Sequence, residues 1–296
     1  ARIDDPGAEG PECSTYTTRE GLTTDSTRCR TESADGKSFI GTARGVDRLD
    51  PATGGIRSLA SEHIARLGGR PLILLDADHT LAPIDASKTF FKEAGWSTKV
   101  MIANFDRHGY EPRSFDIHRR IHWPKSAEFE ARCDAAAKVI KLSQGMQYFL
   151  GEATRKAYVV VLTGGLSPVW RRVLAKAGFP GIPVHGTVEA ESSPVFSSAG
   201  KGAFARILAP FAPWSVAIGD SEIETKMMLN CTHAVIVTRR CKKSQELNPR
   251  LIQAVRHHPL LWCTSHDDQR HTDLPFSAWE DLFTHLETKH RHRHAA

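Results

Sequence analysis

The sequence predicts an α/β fold in which helices flank a parallel sheet and a helical insertion follows the first strand. Three short segments that are apolar at nearly every position predict buried strands, at residues 71–75, 158–162 and 214–218. Strands that are apolar throughout are typical of parallel sheets covered on both faces. Between the first two strands, helical patterns lie near residues 87–94, 100–105, 114–122 and 127–142. The 296 residues can therefore bury one substantial core and a smaller accessory one.

The first predicted strand runs directly into two carboxylates. Residues Leu72 to Leu75 lead into Asp76 and Asp78, which are separated by one residue. Carboxylates at the end of a buried strand are costly to desolvate unless another group compensates their charge. A hard divalent cation such as Mg²⁺ prefers oxygen ligands, so the pattern predicts a metal site here. The alternative is a strand followed by an acidic turn in which Asp78 acts as a cap.

Three further segments carry polar groups at positions where a strand ends or a helix begins. The second strand ends in Thr163 and Gly164, whose hydroxyl and amide suit an anion. A helix is predicted to open around Lys201, and the third strand runs into Asp220 and Glu224. Ligands of α/β sheets bind at the carboxyl ends of strands, so we expect these groups to share one crevice. Taken singly, each also fits an ordinary role as a strand-end hydroxyl, a surface lysine or a helix cap.

In order and spacing, these motifs resemble the haloacid dehalogenase-like (HAD) hydrolase superfamily, and within it the phosphoserine-phosphatase-like branch. The resemblance extends over about residues 71–240 and implies a Rossmann-like core with a helical cap inserted after the first strand. It implies a Mg²⁺-dependent phosphatase that hydrolyses a small phosphomonoester through an aspartyl-phosphate intermediate. By this resemblance Asp76 is the nucleophile and Asp78 the general acid and base, while Thr163, Gly164 and Lys201 bind the phosphoryl oxygens.

The metal ligands are also implied by the resemblance. Mg²⁺ is expected on Asp76, on the backbone carbonyl of Asp78 and on Asp220. Glu224 stands where the family usually has a second aspartate. It is therefore expected either to join the metal site or to orient Lys201 or a metal-bound water.

The insertion contributes the candidate substrate-binding residues. Asp85 follows Asp76 by nine positions, where phosphoserine phosphatases carry an acidic residue that meets the substrate's amino group. The alternative is that Asp85 is a surface carboxylate. A basic stretch that includes Arg119 and Arg120 is either a solvated helix face or a clamp for a carboxylate or second phosphate, because guanidinium groups match such anions.

Other activities would use similar residues. A haloacid dehalogenase needs neither an acid two residues after the nucleophile nor a metal, so Asp78 and Asp220 argue against it. A phosphotransferase would pass the phosphoryl group from Asp76 to an acceptor other than water, and the motifs do not separate it from a hydrolase. A diphosphate-removing enzyme of lipid-like substrates would need an apolar cap cavity, whereas this cap has a basic sequence. A non-catalytic binding or regulatory protein on the same scaffold stays open because of Glu224.

The chain is predicted to divide into five segments. Residues 1–55 are rich in small polar and charged residues and are expected to be disordered or loosely attached. Residues 56–81 begin the core, 82–150 form the cap, 151–240 complete the core, and 241–296 form a C-terminal helical extension packed on it.

Composition narrows the expected partners and location. The net charge of +5 comes from basic residues interspersed with acidic ones, which indicates a solvated surface and no nucleic-acid partner. No apolar run approaches the roughly 18 residues of a transmembrane helix, so no membrane partner is expected. Six scattered cysteines favour a cytoplasmic location, although the start at Ala1 is compatible with removal of an upstream targeting segment. A small phosphorylated metabolite is the expected partner, and the sequence leaves the oligomeric state open.

Overall fold

A computed structural model describes most of the chain from residue 59 onward. The described residues are 59–60, 62–121, 127–188, 195–238, 242–266, 274–275 and 277–294, together with the backbone of five short strands within residues 2–49. The main sheet has six parallel strands: β1 (Leu72–Leu75), β2 (Tyr158–Thr163), β3 (Val184–Gly186), β4 (Ser215–Gly219), β5 (His233–Thr238) and β6 (Leu261–Ser265). Their order is β6-β5-β4-β1-β2-β3. This arrangement confirms the predicted α/β fold.

β1 lies at the centre of the sheet and is buried along its whole length. Leu74 pairs with Val160 of β2 on one side and with Ala217 of β4 on the other. After β1 the chain builds outward through β2 and β3, and it then returns to the opposite side of β1 to form β4, β5 and β6. The strand order therefore reverses beside β1, which is where open α/β sheets bind their ligands.

Besides helical residues described at 59–60 and 62–67, ten α-helices are described around the sheet. They are α1 (Ala86–Glu93), α2 (Lys99–His108), α3 (Pro112–Ile121), α4 (Ala127–Val139), α5 (Gln144–Lys156), α6 (Ser167–Lys176), α7 (Ser198–Leu208), α8 (Thr225–Met228), α9 (Lys242–Val255) and α10 (Trp279–His294). The first four confirm the helical patterns predicted between β1 and β2. The positions of the predicted domain boundaries stay a prediction, but the segment 241–296, predicted to be a helical extension, also contributes β6 to the edge of the main sheet.

The sheet separates two hydrophobic cores, which explains why its central strand β1 is apolar at every position. Ile73 and Leu75 belong to the same core as Phe149 of α5 and Phe283 of α10. Leu72 and Leu74 point the other way, into the core that contains residues of α7 and α9. Because successive side chains of a strand alternate between faces, a sheet buried on both sides needs apolar residues throughout.

The N-terminal region contains strands that the sequence analysis did not expect. Arg2–Ile3 pairs with Cys13–Ser14, and Thr27–Glu32, Ser38–Thr42 and Gly45–Leu49 form a three-stranded antiparallel sheet. The strand pairing is made by backbone hydrogen bonds, which leave little trace in a sequence dominated by polar residues. Loose attachment of residues 1–55 stays a prediction. Across the described residues, no helix combines the length and the apolar character that crossing a lipid bilayer requires.

Candidate active site

The candidate site begins where β1 ends. The Asp76 amide donates a hydrogen bond to the Ile218 carbonyl at 2.9 Å, which continues the pairing of β1 with β4. The carboxyl ends of the two strands therefore lie side by side, and Asp76 comes close to Asp220. The chain then turns sharply at His79, whose φ of 66° is in the left-handed region. The His79 amide donates a hydrogen bond to the Ile84 carbonyl at 3.0 Å. This turn directs the chain away from the sheet and into the insertion.

Three carboxylates form a buried cluster at these strand ends. Oxygen atoms of Asp76, Asp220 and Glu224 all lie within 4.8 Å of one another. The ammonium of Lys201 is 1% exposed and donates hydrogen bonds to Asp76 Oδ1 and, at 2.7 Å, to Glu224 Oε1. The structure thus brings together four residues that the sequence predicted to meet, although they are as much as 148 positions apart from Asp76 to Glu224.

Burial and neighbouring charges together raise the pKa of both Asp76 and Lys201, but the dominant cause differs between the two groups. Burial is the largest effect on Asp76 and raises its pKa well above the ordinary range; the Lys201 ammonium offsets part of this, while Glu224 and Asp220 add to it. Burial opposes the charge of Lys201, but the carboxylates of Asp76 and Glu224 outweigh it and raise the pKa of the ammonium. Lys201 therefore stays charged and holds the nucleophile candidate in place.

Glu224 is held at both of its carboxylate oxygens. While Oε1 accepts from Lys201, Oε2 accepts from the Ser221 amide at 3.0 Å and from the Ser221 hydroxyl at 2.8 Å. Gly219 makes room for this side chain, because a Cβ at that position would lie 2.3 Å from Glu224 Cγ. This geometry favours the interpretation in which Glu224 orients Lys201, and its proximity to Asp76 and Asp220 leaves it a candidate metal ligand as well.

Asp78 lies between the insertion and β2. Its Oδ1 accepts from the Ala86 amide at 2.6 Å and its Oδ2 from the Thr163 hydroxyl at 3.0 Å. The Thr163 oxygen in turn accepts from the Gly165 amide at 3.0 Å. Burial, helped by the negative charge of Asp85, raises the pKa of Asp78 to about 6. The two hydrogen bonds position the Asp78 carboxyl group between Thr163 at the end of β2 and Ala86 at the start of α1.

The donor set fits a divalent cation. Three buried carboxylates face a single ammonium within the cluster, which leaves an excess of negative charge away from water. Such an excess is costly unless a cation compensates it. All of the candidate ligand atoms are oxygens, which suits a hard cation such as Mg²⁺.

A cavity of about 530 Å³ opens between this cluster and the helices of the insertion. Its floor is formed by the candidate catalytic residues Asp76, Asp78, Gly164, Lys201, Asp220 and Glu224. Thr163 is fully buried and is not among the described residues that line the cavity. Its hydroxyl donates a hydrogen bond to Asp78. The predicted contact of Thr163 with phosphoryl oxygens stays a prediction. Gly164 is covered by Phe115 of α3, and a Cβ on Gly164 would lie 2.5 Å from Phe115 Cε1.

The predicted substrate residues have different positions. Asp85 lines the cavity and caps α1, where its Oδ1 accepts from the Lys88 amide at 2.9 Å and its Oδ2 pairs with the Lys88 ammonium at 3.2 Å. Burial would raise the pKa of Asp85, but Lys88 and its amide outweigh burial and lower it. Asp85 is thus the ionised partner of a lysine within the cavity. Its contact with a substrate amino group stays a prediction.

The arginine clamp, one of the two interpretations that the sequence left open, is not formed at this cavity. Arg119 and Arg120 both pair with Asp116, the latter at 2.8 Å, and neither is among the described residues that line the cavity. The three and four positions that separate them from Asp116 place all three on the same side of α3. Phe115 and His118 of the same helix do line the cavity.

Sequence reasoning missed the aromatic character of the cap. Phe105, Tyr110 and Phe115 line the cavity together with His118, whose Nε2 lies 3.2 Å from the Ser87 hydroxyl. The basic residues between them dominate the composition but lie elsewhere on the helices. The spacing of Met101 to Phe105 and of Phe115 to His118 was a signal for inward-facing positions that the composition concealed.

Comparison with known proteins gives one family match. The family of haloacid dehalogenase-like hydrolases matches residues 73–223, just over half of the chain. No curated protein was found to be similar in sequence. Among solved structures, a protein of unknown function from Bordetella pertussis Tohama I is 15% identical with a TM-score of 0.52, and the match covers 65% of this chain and 97% of that one.

Two further similar structures have lower TM-scores. A phospho-aspartyl intermediate analogue of phosphoserine phosphatase is 16% identical, with a TM-score of 0.48 and coverage of 65% of this chain and 92% of that one. Cytosolic 5'-nucleotidase IIIB bound to cytidine is 11% identical, with a TM-score of 0.47 and coverage of 81% and 92%. At these identities, the similarity to the Bordetella protein shows a shared fold alone.

Proposed function

Because the chain belongs to the haloacid dehalogenase-like hydrolases, we propose that it hydrolyses a phosphate monoester with Asp76 as the nucleophile. The observation that carries this proposal is the contact between the buried Asp76 carboxylate and the Lys201 ammonium at the carboxyl end of β1, on the floor of a cavity. A carboxylate held in this way can attack phosphorus, and the covalent route replaces one difficult displacement by two easier steps.

Each step assigns a role to a residue of the site. An oxygen of Asp76 forms a bond to phosphorus while the bond to the ester oxygen breaks, and Asp78 gives a proton to the leaving alkoxide. Asp78 then takes a proton from water, which attacks the aspartyl-phosphate and releases inorganic phosphate from Asp76. Lys201 and the Gly164 amide bind the phosphoryl oxygens as their charge changes. Thr163 keeps the Asp78 carboxyl in position through its hydroxyl.

Asp76 and Asp220, with Glu224 beside them, would hold a Mg²⁺ ion. When bound, the ion supplies the charge compensation that lets an anionic nucleophile approach an anionic phosphate ester. The backbone carbonyl of Asp78 as a further ligand stays a prediction from the family resemblance. A cytoplasmic location and a small phosphorylated metabolite as the partner belong to the same proposal.

The first experiment is hydrolysis of p-nitrophenyl phosphate by the full chain, with Mg²⁺ and with EDTA. We expect metal-dependent release that falls to background in Asp76→Asn. Asp281→Asn is the matched control, because Asp281 is an exposed aspartate at the start of α10, outside the described cavity lining. Release by Asp76→Asn at the wild-type rate would refute the proposed nucleophile.

A second measurement separates hydrolysis from phosphoryl transfer. Inorganic phosphate and p-nitrophenol are quantified together, with and without added glycerol as an acceptor. A hydrolase yields the two products in equal amounts. A marked deficit of inorganic phosphate in the presence of glycerol would instead favour the phosphotransferase alternative.

A further inference from the structure

The part of the cavity that lies beyond the catalytic floor is bordered by apolar and aromatic side chains of the insertion. These residues are Met101, Ile102 and Phe105 of α2, Tyr110 between the helices, and Phe115 of α3. They face the carboxylates across the space that the leaving group of a phosphate ester would occupy. Whatever is attached to the phosphate must therefore contact this surface.

Phe105 is the centre of this aromatic surface. Its ring centroid lies 5.4 Å from the centroids of Phe115, Tyr110 and His118. Phe115 and His118 are buried, whereas Phe105 and Tyr110 are partly exposed and border the open space. The rings contact one another in tilted and edge-to-face arrangements, the geometry in which aromatic pairs are favourable, so the surface suits a further ring.

The polar groups of the cavity offer little to a second anionic group. Apart from Lys201, Lys88 is the one lysine or arginine among the described residues that line the cavity, and it pairs with Asp85. Asp106 adds a further carboxylate to the lining. Burial lowers the pKa of His118 to about 4, so this ring is neutral near pH 7. A second phosphate or a free carboxylate would therefore lack a dedicated cation.

We propose that the substrate is a phosphate monoester whose alcohol carries an uncharged aromatic ring, and that this ring packs against Phe105 and Tyr110. The inference rests on the proposed phosphatase function and names its substrate class. It differs from the phosphorylated amino acid that a contact between Asp85 and a substrate amino group would imply, because the Asp85 carboxylate already pairs with Lys88. The volume of about 530 Å³ lies within the range of sites that enclose ligands larger than a small amino acid.

The test compares 2-phenylethyl phosphate with ethyl phosphate, using the full chain and Mg²⁺. Both esters release a primary alkoxide, so a difference in kcat/KM reports contact with the ring instead of leaving-group reactivity. We expect kcat/KM to be at least about tenfold higher for the phenylethyl ester, which corresponds to about 1.4 kcal/mol of transition-state binding. O-phosphoserine, measured beside them, should be the poorer substrate than 2-phenylethyl phosphate.

Two substitutions locate the effect. In Phe105→Ala, the ratio of the two kcat/KM values should fall toward one, and Tyr110→Ala should lower it as well. Phe211→Ala is the matched control, because Phe211 is 54% exposed and does not belong to the described cavity lining. Its ratio should equal that of the wild type. Thermal unfolding of each variant verifies that the compared proteins are folded, and the wild-type ratio is informative without any variant.

The outcomes distinguish this inference from the function on which it rests. Hydrolysis of both alkyl esters at equal kcat/KM, or a preference for O-phosphoserine, would overturn the aromatic substrate class and leave the phosphatase proposal standing. A preference that persists in both Phe105→Ala and Tyr110→Ala would overturn the assigned surface. Absence of phosphate release from every ester, including p-nitrophenyl phosphate, would refute the proposed function and this inference with it.

Discussion

Replacing Lys201 by methionine tests the proposed buried cluster most directly. The lysine side chain is 1% exposed and bridges Asp76 and Glu224, which are 8% and 1% exposed. Methionine retains an apolar side chain of similar length but removes both charge-assisted hydrogen bonds. Such bonds contribute roughly 1.5–3 kcal/mol each, and removal of one partner from a buried ion pair costs about 3–5 kcal/mol. Since the two figures describe the same loss, we expect the free energy of unfolding to fall by about 3–5 kcal/mol.

The assay is urea denaturation in EDTA, so that no added metal can replace the missing ammonium. Lys226→Met is the matched control, because Lys226 is an exposed lysine of α8. A surface substitution of this kind should change the free energy of unfolding by no more than about 0.5 kcal/mol. If Lys201→Met lost no more than Lys226→Met, the ion pairs would not stabilise the fold and the reasoning would be refuted.

A second substitution identifies the cause of the expected loss. If Lys201→Met is destabilising because it leaves Glu224 uncompensated, adding Glu224→Gln should recover part of the stability. Residues that share one buried network show interaction energies of about 0.5–3 kcal/mol in double-mutant cycles. Strictly additive losses would show instead that the two side chains act independently.

Three further changes have defined outcomes. Gly164→Ala should lower kcat/KM by roughly tenfold to a hundredfold, because its Cβ would lie 2.5 Å from Phe115 Cε1 and displace the surrounding groups. Combining it with Phe115→Leu should restore part of the activity. Unchanged kinetics in Gly164→Ala would contradict the close contact. Asp220→Asn should raise the Mg²⁺ concentration for half-maximal activity at least about tenfold, and an unchanged metal titration would exclude Asp220 as a ligand. Burial lowers the pKa of His63 and of His185 from 6.5 to about 4, so the unfolded chain binds more protons within this window. The free energy of unfolding should therefore decrease as the pH falls from about 6.5 to 4, and it should decrease less steeply in His63→Gln than in wild type. If the free energies of unfolding of the two proteins, measured by urea denaturation, fell equally steeply with pH, this assignment would be contradicted.

The strand-end carboxylates show how far a sequence can predict a site in this fold. Asp76 and Asp220 follow runs that are apolar at nearly every position, and such runs predict buried parallel strands without knowledge of their neighbours. The carboxyl ends of adjacent parallel strands meet at one edge of a sheet, so the meeting of these residues follows from topology. Lys201 was predicted in the same way, from its place near a helix start, and the structure adds that it bridges Asp76 and Glu224.

The insertion shows the opposite case. Its helices were predicted close to where they occur, but its composition favoured a basic lining, whereas the cavity is lined by Phe105, Tyr110 and Phe115. Arg119 and Arg120 were candidates for binding an anion and instead pair with Asp116 of the same helix, outside the described cavity lining. An amphipathic helix indicates that it has a buried side, but the identity of what it faces depends on how the helix packs.

The sequence by itself determined the α/β class and the helical insertion and predicted which strand-end carboxylates would meet, because apolar runs, helical periodicity and residue spacing are local properties; the catalytic roles of these residues stay a prediction. Only the tertiary structure decided which groups touch across long separations. It paired Thr163 with Asp78, which lies 85 positions away, and placed Phe115 against Gly164. The first contact depends on the pairing of β1 with β2. The second depends on the orientation of the insertion over the sheet, which arises from packing among many side chains and is recorded in no single stretch of sequence.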